Sequence, residues 1–143
     1  MKVNTREFGE MEIAEDKIIE FIQPPFGFEE HKRYTFLFDQ EIGDQIVWMQ
    51  SVEDPALCFI LFDPTPLAAF YKPQIPAGIE QKLGEGELRC WVIGVVPQDF
   101  DKATVNLKSP IIVNMQTNRA AQVILDQDYP IRYSLRKGAS DIC

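Results

Sequence analysis

Apolar and polar residues alternate along most of this chain, the period of two expected of strands with one buried face. Short runs rich in β-branched and aromatic residues predict strands over 2–8, 11–13, 18–21, 34–38, 46–51, 57–62, 88–96, 103–107, 111–115 and 120–125. The stretches between them at 41–44, 53–55, 63–66, 97–101 and 116–118 have the chemistry of turns. One segment departs from the pattern. Over 76–83 a proline stands at an opening position, Ile79 and Leu83 lie four apart and Gly84 follows, which predicts one short helix of about two turns. The fold class is therefore all-β (mainly β), a barrel or sandwich with a single short helix.

Two runs, ALCFILF at 56–62 and WVIGVV at 91–96, are apolar at consecutive positions and predict strands covered on both faces, with Gly94 marking a bulge or a close approach of two backbones. In TVNLKSPIIVN, at 104–114, Val105 and Leu107 alternate with Thr104 and Asn106, Pro110 interrupts, and Ile111 restarts a strand that ends on Asn114. Asn106 and Asn114 either lock the strand ends through bonds to the backbone or reach a partner.

At 143 residues, with 45% hydrophobic and 25% charged residues, the chain reads as one compact domain over 1–143, with a loose tail from about 137. Lys and Arg total 14 against 22 acids, a net charge of −8, which disfavours phosphate backbones and suits a basic partner; a local patch of Arg132, Arg136 and Lys137 is the one feature that favours RNA. Cys58, Cys90 and Cys143 form no CxxC pair and predict neither a disulfide framework nor a zinc site. The first ten residues lack the apolar core of a signal peptide, and the run at 56–62 is far shorter than a membrane span. A cytoplasmic protein that does not engage membranes is the expectation.

Candidate chemistry adds little. His31 lies in the charged run EEHKR, where exposure is expected, and Cys58 and Cys90 sit among large hydrophobes, the setting of inert thiols. Glu7, Glu10, Glu12, Glu15, Asp16 and Glu20 are spread as on solvated strand faces, no metal motif is present, and Gly84 and Gly86 stand in the wrong order for a dinucleotide turn. No catalytic, cofactor or metal residue is assigned. A small-molecule enzyme or ligand-binding protein on a β-barrel scaffold stays the alternative, and it needs two acids, or a thiol and His31, to converge. More unusual is FIQPPFGF at 21–28, where Phe26 and Phe28 flank Gly27 on a proline-defined loop that is either a plug on the core or a partner surface. Gln50, after Trp48, is either a satisfied strand amide or a contact.

These residues together resemble the flagellar assembly factor FliW family of bacteria. A family motif near Phe-x-x-Gly-(Ile or Leu)-Pro-Gly-Phe corresponds to Phe21, Pro24, Pro25, Phe26, Gly27 and Phe28, with Pro24 and Phe26 as departures. Trp48, Met49, Gln50 and Ser51 stand for Trp-Leu-Gln-Ser, followed by Pro55, Leu57 and Phe59. Asn106, Leu107, Ser109, Pro110, Ile111 and Asn114 match Asn-Leu-x-Ala-Pro-Ile-x-x-Asn; Ala121, Gln122, Val123, Leu125, Tyr129, Arg132 and Leu135 continue it, and Tyr133 stands where a histidine is common. The resemblance implies a non-enzymatic regulator with a compact β-barrel-like fold. Its partners would be the translational repressor CsrA, whose repression of flagellin mRNA it relieves, and flagellin, which competes for it; no direct contact with nucleic acid is implied. Partner-binding candidates are Phe26, Gly27, Phe28, Gln50, Asn106, Pro110, Asn114 and Tyr129. Phe70 and Tyr71 are further aromatics for a helix-in-groove contact.

Overall fold

Strand pairing closes most of the predicted runs into a ring. The computed structural model describes residues 1–135 apart from 40, 42, 100 and 101. The strands are β1 (Lys2–Thr5), β2 (Gly9–Glu12), β3 (Ile18–Gln23), β4 (Arg33–Asp39), β5 (Gly43–Ser51), β6 (Cys58–Phe62), β7 (Leu88–Val95), β8 (Thr104–Val105), β9 (Ile111–Asn114), β10 (Arg119–Gln122) and β11 (Tyr133–Ser134). Seven of them form a closed barrel in the order β3-β4-β5-β6-β7-β9-β10, which returns to β3. Every pair is antiparallel except the closing one, where β10 lies parallel to β3 with Ala120 opposite Phe21 and a bulge after it. β7 does double duty on one edge: Leu88 to Trp91 pair with β9, and Gly94 and Val95 with β8, beside which β11 lies.

Alternation then sorts side chains to the two faces of the wall. Ile19, Phe21, Tyr34, Val47, Met49, Leu61, Trp91, Ile111, Val113 and Ala120, drawn from all seven strands, fill the lumen. Their outward neighbours are covered as well. The β1–β2 hairpin seats Val3 and Ile13 against Leu37, with Trp48 packed alongside. Elsewhere Leu67, Tyr71, Ile79 and Leu83 from the 63–83 segment, and Val123 and Leu125 from beyond β10, cover Phe62, Val92 and Ile112. Burying each of these side chains contributes about 1.5–3 kcal/mol. Of the two apolar runs expected to be covered on both faces, ALCFILF is, because Phe59 and Leu61 face the lumen while Ile60 and Phe62 face the outer layer; WVIGVV is covered only as far as Ile93, and Val95 and Val96 are exposed.

Several boundaries differ from the expectation, for local reasons. The helix α1 (Ile79–Leu83) has five residues, not eight, because Gly78 at its N-cap and Gly84 at its C-cap both have positive φ and the chain cannot stay helical through them. It still buries Ile79 and Leu83. Only Thr104 and Val105 of 103–107 pair as strand, since Asn106 starts a turn, and β10 stops at Gln122, whose side chain bonds elsewhere. β11 was not anticipated. Gly94 has the ring of Phe62 where a Cβ would stand, so the close approach is that of a side chain from the neighbouring strand. The tail from about 137, Cys143, and the Arg136 and Lys137 of the basic patch lie outside the described residues, as do parts of the turns at 41–44 and 97–101.

Candidate functional site

At the end of the barrel where β3 stops and β4 begins, the loop 24–31 crosses the mouth. Pro25 is buried, its carbonyl accepts the N–H of Phe28, and the carbonyl of Phe28 accepts the N–H of His31, two turns that fold the loop onto the ring. Gly27 has φ +88, a conformation that suits glycine, with open space where a Cβ would be. Phe28 meets Phe59 edge to face at 5.3 Å, and Phe59 leads to Tyr34 and Phe21 in the lumen. Phe28 thus caps the aromatic core yet keeps 38% of its surface exposed, and Phe26 keeps 49%. The loop is thus a plug on the core through Phe28, and Phe26 beside it stands open to solvent.

What fixes the loop is Gln122. Its Oε1 accepts the N–H of Phe26 at 2.8 Å, its Nε2 donates to the Ser109 carbonyl at 3.1 Å, and its own carbonyl accepts from Gln23 Nε2. Ser109 N–H and Lys108 N–H in turn donate to Asn106 Oδ1, a side-chain turn that delivers buried Pro110 to the start of β9. A chain of hydrogen bonds therefore brings together five of the eight candidates: Phe26, Gly27, Phe28, Asn106 and Pro110. Gln122 is buried, and its importance has no local signal, because its partners are far away in sequence.

The other three candidates sit elsewhere. Gln50 is fully buried on the outer face of β5: its Oε1 accepts the Arg6 N–H, and its Nε2 lies within 3.3 Å of the carbonyls of Ser51, Asp54, Pro55 and Leu57. Asn114 is fully buried at the far end of β9. Its Nδ2 faces the carbonyls of Leu83, Gly84 and Glu85, and its Oδ1 accepts the N–H groups of Gln116 and Thr117. Tyr129 lies half-buried in the outer layer, edge-on to Tyr71; its hydroxyl accepts from Lys72 N–H and donates to the Phe70 carbonyl. All three side chains are engaged by the protein itself.

Burial pushes the Cys58 thiol up to about 11, helped by Glu7, and the Cys90 thiol up to about 12, helped by Asp63. Both are protonated at neutral pH, the reverse of an activated nucleophile. His31 is half-buried and not the exposed side chain expected, and its backbone N–H closes a turn on the Phe28 carbonyl. Among the described residues, no three His, Cys, Asp or Glu side chains converge as metal ligands would. No helix among them is long and apolar enough to cross a membrane.

Comparison with known proteins gives this architecture its relatives. The model of the FliW protein family matches residues 2–135. The flagellar assembly factor FliW of Lachnospira eligens is 37% identical over 142 residues, covering 94% of each chain, and that of Syntrophus aciditrophicus is 35% identical over 141 residues, covering 96% of this chain and 89% of its own. A crystal structure of the flagellar assembly factor FliW superposes with a TM-score of 0.86 at 30% identity, covering 94% of this chain and 96% of that one. Sequence and three-dimensional similarity thus run through the barrel, its hairpin cover and the plugged mouth together, and the chain belongs to the FliW family.

Proposed function

We propose that this protein is a flagellar assembly factor that works through protein contacts in the cytoplasm: it binds CsrA, relieves repression of flagellin mRNA, and exchanges CsrA for flagellin when unexported flagellin accumulates. The observation that carries this reading is the family match over residues 2–135. Phe26, Gly27 and Phe28 are the contact residues, on a loop that Gln122 holds in place before any partner arrives, which lowers the cost of ordering it on binding. Asn106 and Pro110 position that loop from below; Gln50, Asn114 and Tyr129 serve the complex by holding the frame.

The net charge of −8 suggests how bound protein would weaken RNA binding without occupying the RNA site. A strongly acidic body docked beside a basic RNA surface repels phosphates within about 8 Å, the Debye length at physiological salt. In a gel-shift titration of flagellin leader RNA, saturating protein should raise the CsrA concentration needed for half-shift, and added flagellin should reverse the effect. A CsrA–RNA complex indifferent to saturating protein overturns the proposal. Phe26→Ser should weaken the antagonism about tenfold with an unchanged melting temperature.

A further inference from the structure

The turn that joins β5 to β6 reaches the loop 24–31 at the point where that loop enters β4. Ser51 Oγ accepts the N–H groups of Glu53 and Asp54, each at 3.0 Å, a side-chain turn at the end of β5. Gln50 Nε2 lies within 3.3 Å of the carbonyls of Asp54 and Pro55, so the buried amide fixes the rest of the turn. Built in this way, the turn presents Glu53, whose Oε1 accepts the N–H of Lys32 at 3.0 Å and that of Arg33 at 3.2 Å. Val52 N–H donates to the Arg33 carbonyl at 3.1 Å, and the Lys32 carbonyl accepts the N–H of Phe21. The exit of the loop is therefore tied on both sides, to β3 and to the turn after β5.

An exposed acid beside a partner loop suggests a charge contact, but a charge contact does not require one carboxylate oxygen to sit on two consecutive backbone donors. We infer that Glu53 is a positioning residue for the partner loop: Gln122 holds Phe26 at one end, Glu53 holds Lys32 and Arg33 at the other, and together they set how Phe26 and Phe28 stand at the mouth. Between these two clamps the loop is held by its turns on the Pro25 and Phe28 carbonyls, by the bond from Gly27 N–H to Glu29 Oε1, and by Phe28 against Phe59. Loosening either clamp leaves more of the loop to be ordered when a partner binds. Buried Gln50 and Ser51 thereby act on the loop through Glu53, without touching a partner. The inference rests on the Phe26–Phe28 contact surface proposed above.

Two substitutions separate positioning from charge. Glu53→Ala removes both the acceptor and the charge, whereas Glu53→Gln removes the charge and keeps an Oε1 acceptor. In the free protein, Glu53→Ala should speed amide hydrogen exchange about fivefold at Lys32 and Arg33 and then at Phe28 and His31, with Val47 and Leu61 unchanged; Glu53→Gln should restore most of the protection. Affinity for CsrA, measured by calorimetry, should fall about fivefold in Glu53→Ala and return to within about twofold of wild type in Glu53→Gln. Equal loss of affinity in the two variants would make Glu53 a charge contact and overturn the inference. So would unchanged affinity in Glu53→Ala, unchanged exchange at Lys32 and Arg33, or an equal rise in exchange at Val47 and Leu61. If the wild-type protein does not bind CsrA, the proposed partner fails, while the exchange measurement still decides the role of Glu53.

Discussion

At one end of the barrel the chain crosses the mouth and at the other no segment among the described residues does, although a buried side-chain amide stands at both ends. Gln122 ties Phe26 to Ser109 and draws the loop 24–31 over the lumen, where Phe28 packs on Phe59. Asn114 gathers the carbonyl that ends α1, the two that follow it and two N–H groups of the β9–β10 turn, but those segments lie beside the ring and leave Phe38 and Met115 exposed. The difference teaches that satisfying backbone groups and covering apolar surface are separate tasks. The two amides do the first at both ends, and the described residues do the second at one.

Substitutions rank the two ends. The largest effect belongs to Asn114→Ala, which strands buried carbonyls and N–H groups together and should cost about 3 kcal/mol or more, read by urea denaturation; a loss within about 0.5 kcal/mol breaks the account of the open end. Gln122→Ala should cost about 2 kcal/mol, and it should speed hydrogen exchange at the Phe26 amide before that of the strand amides, because it frees the plug and not the ring. Were exchange to rise uniformly, the plug would not be a unit of its own. Phe28→Ala loses an edge-to-face contact and partial burial, about 1 kcal/mol, with no change at Phe38.

The smallest effect lies at the open end. Asp63 and Arg89 pair at 3.3 Å, and the guanidinium stacks over Trp91 at 4.3 Å. Burial works against ionisation of Asp63, but the hydroxyl and N–H of Thr65 and the Arg89 charge outweigh it, so the carboxyl sits below the usual range. A lowered carboxyl pKa stabilises the fold above the unfolded value of 3.8 and ceases to do so as pH falls through the folded value. Asp63→Asn should therefore cost about 0.5 kcal/mol at pH 7 and progressively less below pH 4. A gap between wild type and variant that is the same at pH 7 and pH 3 would remove this part of the comparison.

Most of the wall was legible in the sequence because its signal is local. Alternation and consecutive apolar runs located the strands and, in ALCFILF and the first half of WVIGVV, their double cover, since a strand displays both faces within a few residues; Val95 and Val96 are exposed instead. What escaped depends on distant partners. β11 has two residues and exists because β8 lies beside it, and the side-chain bonds of Gln50, Gln122 and Asn114 reach residues as far as 44, 96 and 31 positions away. The helix was overextended because Gly78 interrupts a pattern that Pro76 and Ile79 would otherwise support. Within the site, the aromatic loop was visible as composition, but that Phe28 both plugs and protrudes is a matter of its angle to Phe59, which no spacing encodes.

The seam of the barrel has a consequence for the order in which the protein is made. β3 is near the beginning of the chain, yet the strand that closes the ring against it starts at Arg119, and Gln23 waits for a partner 99 residues downstream. Throughout that interval on the ribosome the exposed edge of β3 is an unpaired strand, and closing so long a loop is slow compared with forming hairpins such as β4–β5. Nascent chains that end before residue 119 cannot shut the lumen, so protease resistance of Phe21 and Tyr34 should appear abruptly, late in synthesis, once the segment from Arg119 has emerged.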